Sequence, residues 1–173
     1  MTHFVSAVRV ATLLLALFVL LFPLRVTAQT ADPEVSVQDI VVTLSGKGDV
    51  QPKSLPPGSL CTLRVKLRNA DTQKASSFAF TVKINGNQVD AYDRMLYFQA
   101  IDPGTTGEIA LSNFYSPESE AKDAKVTVEV ILREARWVDI KKEGQSQTWL
   151  PAGEVKGLPA SKSISIPLTA TPK

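Results

Sequence analysis

Between residues 60 and 132 the apolar residues recur with a period of two, and this excludes most folds before any motif is considered. In "LCTLRVKLR", Cys61, Leu63, Val65 and Leu67 share one parity, while Thr62, Arg64, Lys66 and Arg68 share the other. A strand with one face on a core and one face in water has this pattern, whereas a helix repeats every 3.6 residues. "SSFAFTVKI" repeats it with Phe78, Phe80, Val82 and Ile84 inward, and "KVTVEVIL" with Val126, Val128, Val130 and Leu132. Near the C-terminus, "SKSISIPLTA" alternates Ile164, Ile166 and Leu168 with small polar residues.

Turn chemistry separates these strands. Asn85-Gly86 directly follows Ile84, and both residues tolerate the positive φ of a two-residue hairpin turn. Taking Ile84 and Asn87 as the closing pair sets Val82 opposite Val89. "GDVQPKSLPPGS" and "DPGTTG" are further turn clusters. Short alternating strands between Gly, Pro and Asn turns, with no convincing helix in residues 29–173, predict an all-β protein. The pattern alone indicates an antiparallel β-sandwich or a barrel.

The N-terminus differs in kind. Arg9 precedes an apolar run from Val10 to Leu24, and small residues at Val26 and Ala28 prepare a cleavage site before Gln29. This is the layout of a secretory signal helix over residues 1–28, followed by a polar leader over 29–34. The alternative is an uncleaved membrane anchor, but that needs about 20 apolar residues, and extending the run backwards meets Arg9. The expectation is an exported protein, periplasmic or extracellular, touching the membrane only if this segment is retained.

Charge and residue inventory exclude several chemistries. The chain has 19 Lys and Arg against 17 Asp and Glu. Arg9 and Arg25 fall in the signal segment, which holds no acid, so the remainder carries no net charge. A nucleic-acid partner is not expected, because phosphate binding needs a basic surface. The one histidine of the sequence, His3, also lies in that segment. Residues 29–173 therefore lack an imidazole for a catalytic triad or a zinc site. Asp90 and Asp93 in "VDAYDR" are a nominal carboxylate pair for glycoside chemistry, but they sit beside a hairpin and read better as a solvated loop. "NGNQVDAYD" is rich in oxygen ligands without matching a calcium loop. We assign no catalytic residue, no metal and no cofactor.

Four stretches in order, "PPGSLCTLRVKLRNAD", "FAFTVKINGNQV", "IDPGTTGEIALS" and "AKVTVEVIL", resemble the bacterial cell-adhesion-related domain CARDB. The resemblance covers roughly residues 35–132. It implies an all-β fold over residues 35–170, a single immunoglobulin-like or fibronectin-III-like antiparallel β-sandwich of about seven strands, serving as an extracytoplasmic, non-catalytic interaction module. After the valine strand the sequence departs from that family, which often continues with an acidic, asparagine-rich segment. Here "REARWVDIKKEGQSQTWLPAGEVKGLPA" stands instead.

Cys61 is the only cysteine. Disulfide-linked immunoglobulin domains pair it with a second cysteine on strand F, but the corresponding strand here offers valines and leucine. Cys61 is expected to be a small buried apolar residue with an inert thiol. The tryptophans, Trp137 and Trp149, flank a hairpin-forming "KEG". Pairing Lys141 with Gln145 across it would set Trp137 opposite Trp149, with Leu150 alongside. Either these residues cover one edge of the core, or Trp137, Trp149 and Leu150 form a contact surface, since aromatics concentrate at interface hot spots. The functional expectation is adhesion-type binding of a protein or cell-surface component. The alternative is a small carbohydrate-binding module that stacks sugars on Trp137 and Trp149.

Overall fold

In the computed structural model, residues 33–93, 95–119 and 123–169 are described. The expected signal segment and most of the polar leader lie outside them. The elements are β1 (Val35–Leu44), β2 (Leu60–Asn69), β3 (Lys74–Ile84), β4 (Asn87–Gln88), α1 (Asp90–Asp93), β5 (Leu96–Tyr97), β6 (Thr106–Tyr115), β7 (Lys125–Glu143), β8 (Ser146–Glu154) and β9 (Ala160–Pro167). They form an all-β sandwich. One sheet has the order β1-β2-β6, and the other is built around β3 and β7, with β4 and β5 on the outer edge of β3 and β8 and β9 on the outer edge of β7. Every strand pairing is antiparallel.

The period-two pattern is satisfied as it should be. Cys61, Leu63, Val65 and Leu67 from β2 meet Phe78, Phe80 and Val82 from β3 and Val126, Val128, Val130 and Leu132 from β7 in one buried cluster. Ile84 pairs with Asn87 across Asn85-Gly86, both at positive φ, and Val89 N–H donates to Val82 O at 2.9 Å.

Where the alternation slips in the sequence, the strand bulges. In β1 the register shifts between Val37 and Asp39, so the buried side changes from Val35 and Val37 to Ile40 and Val42. In β6 a shift opposite Thr62 to Arg64 carries the inward parity from Ile109 and Leu111 to Phe114. On β3 and β7 two shifts compensate each other near Ser76–Phe80, and Ser77 takes φ 57° there. An extra residue reverses the facing of all that follow it. Beyond the bulge the inward residues of β7 are therefore Ala135 and Trp137.

Loops are tied down by side chains whose polar groups are fully used. Asn69 ends β2 buried, and its Nδ2 donates to Gln73 O (2.7 Å) and Ile101 O (3.0 Å). Its Oδ1 accepts from Asp71 N–H at 3.1 Å. The Pro57-Gly58-Ser59 turn is stitched to the end of β6 by Ser116, whose Oγ accepts from Ser59 N–H (2.9 Å) and donates to Pro56 O (2.6 Å). Such satisfaction matters because a buried polar group left unpaired costs about 1–3 kcal/mol.

Candidate functional site

β7 is 19 residues long, and its two halves have different neighbours. β3 lies along one edge from Val128 to Val138, while the other edge is taken by β9 from Lys125 to Leu132 and by β8 from Arg136 to Glu143. The change of neighbour leaves a notch of about 440 Å³ lined by Arg133, Glu134, Arg136 and Glu154, among others. Val155 N–H donates to Ala135 O there at 3.0 Å. The mixed charges of this notch commit it to no ligand.

The expected hairpin is present, with a register other than the one predicted. Glu143 pairs with Ser146 around Gly144-Gln145, and Gly144 has φ 62°. Gly at the first central position with an ordinary φ at the second fits a type II′ turn, which matches strand twist better than the three-residue loop inferred from sequence. Ile140 consequently lies opposite Trp149, Val138 opposite Pro151, and Trp137 opposite Gly153 after a further bulge between Trp137 and Val138. Trp137 and Trp149 therefore do not face each other across the strands.

This register sets the three residues in different surroundings, although Trp137 and Trp149 both border one cavity. Trp137 is 5 % exposed and belongs to the core. Trp149 is 42 % exposed and lies on the face of Val138, Ile140 and Pro151. Leu150, 45 % exposed, lies opposite Asp139 and so turns to the other face of the hairpin. Every residue of β8 is exposed.

Beside Trp149 stands a residue that the sequence did not single out, Phe98, which directly follows β5. Phe78 and Ala79 pair with Tyr97 and Leu96, so Tyr97 turns inward to meet Phe80 edge-on, with ring centroids 5.6 Å apart. Phe98, one residue further on and so of the opposite parity, is 71 % exposed. Phe98, Trp149 and Pro151 line a cavity of about 260 Å³ together with the buried Trp137 and Val138 and the polar Ser76, Ser77 and Arg136. Phe98 follows a strand of only two residues, too short for alternation to be read from sequence.

The carboxylates of "VDAYDR" do not make a catalytic pair. Asp93 accepts from Thr81 Oγ1 at 2.6 Å and from Gln88 Nε2, and its carbonyl accepts from Arg133 Nη2 at 2.8 Å. Asp90 stays exposed at the start of the one-turn helix. Between them, Tyr92 is fully buried and donates to Ser112 O at 2.6 Å, with burial and the nearby Tyr97 pushing its phenol up to about 12. Cys61 is buried, and desolvation raises its thiol pKa despite a backbone hydrogen bond from Ser116 that lowers it. Among the described residues no three His, Cys, Asp or Glu side chains gather as a metal site, and no helix is long and apolar enough to span a membrane.

No protein-family profile matches the sequence, nor does any curated protein sequence. Among solved structures the chain is similar to the CARDB domain of a Pyrococcus furiosus protein determined in complex with di-metal ions. The identity is 10 %, over 81 % of this chain and 96 % of that one, with a TM-score of 0.44. It is also similar to the C-terminal domain of wzt, at 12 % identity over 81 % of this chain and 75 % of that one, with a TM-score of 0.39.

Proposed function

We propose that this protein is an exported, non-catalytic interaction module that binds a protein or cell-surface component through its β7–β8 hairpin. The observation that carries the reading is the half-exposed Trp149, held on a hairpin that continues past the core beside the exposed Phe98. A large indole left partly in water contributes little to folding, while it supplies the rigid apolar area on which interface hot spots are built. Leu150 offers a second apolar contact on the opposite side of the same strand, and the buried Trp137 anchors the base of the hairpin. Export follows from the apolar run Val10–Leu24 and the small residues before Gln29. A non-catalytic role accords with Asp93, whose carboxylate is engaged by Thr81 and Gln88. The carbohydrate alternative keeps Trp149 as a stacking platform, with Arg136 and Ser77 beside the same cavity.

The test is capture of a partner from an envelope extract by the wild-type protein and by Trp149→Ala. Loss of capture with an unchanged melting temperature supports the contact surface, and undiminished capture contradicts it. Elution by a soluble oligosaccharide in place of a protein would favour the carbohydrate alternative. Mass spectrometry of the native protein should find its N-terminus at Gln29; recovery of the full-length chain in the membrane would mean that the segment is an anchor.

A further inference from the structure

The long strand edges of this sandwich are guarded unequally. At β1, a bulge interrupts the edge and Lys162 Nζ donates to Gln38 O. At β6, Tyr92 occupies Ser112 O. Among the described residues, β8 is hydrogen-bonded to β7 alone, and its other edge is open. Natural edge strands are usually protected by charge, proline or bulges. In β8 such devices, Pro151 and the bulge by Gly153, occupy the second half only. The first half, Ser146 to Leu150, contains no charged residue.

The turn determines which backbone groups face outward. The closing pair of a two-residue hairpin is hydrogen-bonded, so Glu143 and Ser146 point their groups at each other. By alternation, Gln147 and Trp149 direct their N–H and C=O groups to the open edge. Pro151 falls in the same outward series, where its missing N–H breaks no ladder bond.

We propose that β8 pairs antiparallel with β8 of a second copy of this chain, about a two-fold axis through Thr148. This names a partner for the contact surface proposed above and rests on that reading. In this register Gln147 lies opposite Trp149 of the second copy, and the outward N–H and C=O groups of both residues are all paired. A register centred on Trp149 would set Gln147 against Pro151, which has no N–H. One centred on Gln147 would set Trp149 against Gln145 in the turn. The neutral stretch meets itself without like-charge repulsion, and a two-fold contact requires this kind of self-complementarity. It also carries no charge with which to select a foreign strand. The two Trp149 side chains then lie diagonally on one face, about 7–8 Å apart at the backbone, within reach for aromatic rings.

Thr148 would face its own copy at a non-hydrogen-bonded site, where Cα atoms are about 4.5 Å apart and a disulfide of about 4.4–6.8 Å Cα separation fits. In the full chain, Thr148→Cys should give a covalent dimer under mild oxidation, while Ser163→Cys on the exposed face of β9 should not. The buried Cys61 is silent in both. Thr148→Lys, which opposes like charges across the axis, should raise the dimer Kd in sedimentation by about tenfold or more. A chain that stays monomeric, or no more cross-link at 148 than at 163, overturns the inference. So do cross-links from 148 to other proteins in place of the homodimer. If either result comes with capture that still depends on Trp149, only the pairing fails and the proposed function stands.

Discussion

The two halves of β7 share one strand and one chemistry of alternation, yet they do different work. From Val126 to Leu132 every second side chain is fully buried under the facing sheet. From Asp139 to Glu143 no side chain is buried, and among the described strands this stretch pairs with β8 alone. Backbone hydrogen bonds alone contribute modestly to net stability, whereas apolar burial contributes about 25 cal/mol per Å². The proximal half therefore carries the fold, and the distal half is held out at little cost to it. The bulges near Ser77 and between Trp137 and Val138 mark the boundary, with Trp137 the last residue of the core cluster along β7 and Val138 buried beside it.

The largest effect expected from this contrast is at that boundary. Trp137→Ala should cost about 3–5 kcal/mol in denaturant unfolding, since it opens a cavity where both sheets meet. A cost under about 1 kcal/mol would place Trp137 with the distal half instead.

Next in size is a pH effect in the sandwich itself, away from the hairpin. Tyr92 ionises near 10 when exposed and at about 12 in the fold, raised first by burial. Below pH 10 both states hold the proton, and its stabilisation is complete. As pH rises through 12 the unfolded chain has already released the proton, so about 2–3 kcal/mol is progressively lost. Tyr92→Phe should remove that part of the alkaline transition, and identical alkaline profiles would show that the phenol is not buried as described.

Cys61→Ala should cost on the order of 1 kcal/mol, because a small apolar group is lost from a packed site. A maleimide should label Cys61 slowly until denaturant is added, as its burial and raised pKa both disfavour the thiolate. Rapid labelling of the native protein would contradict the packing of β2 against the core.

Period-two alternation made β2, the middle of β3 and the first half of β7 legible, because each buries one face without interruption. Asn85-Gly86 also declared its turn through residues that tolerate positive φ. The candidate site was harder to read for two physical reasons. The hairpin turn was recognisable from Gly144, but a two-residue loop and a three-residue loop use the same glycine and give different registers. Bulges then reversed the facing of Trp137 and Val138, and a bulge is set by how two strands fit, which one strand's sequence does not display. Phe98 escaped notice because β5 is two residues long and owes its place to β3. Trp149 and Leu150 were correctly expected on a hairpin beyond the valine strand, yet on opposite faces of it.

The division between the two halves of β7 is tested most directly by denaturant unfolding of Trp149→Ala. An indole on the exposed hairpin should be removable with stability held within about 0.5 kcal/mol of wild type. A loss approaching the several kcal/mol expected for Trp137→Ala would place Trp149 in the folding core and contradict the proposal that it forms a contact surface.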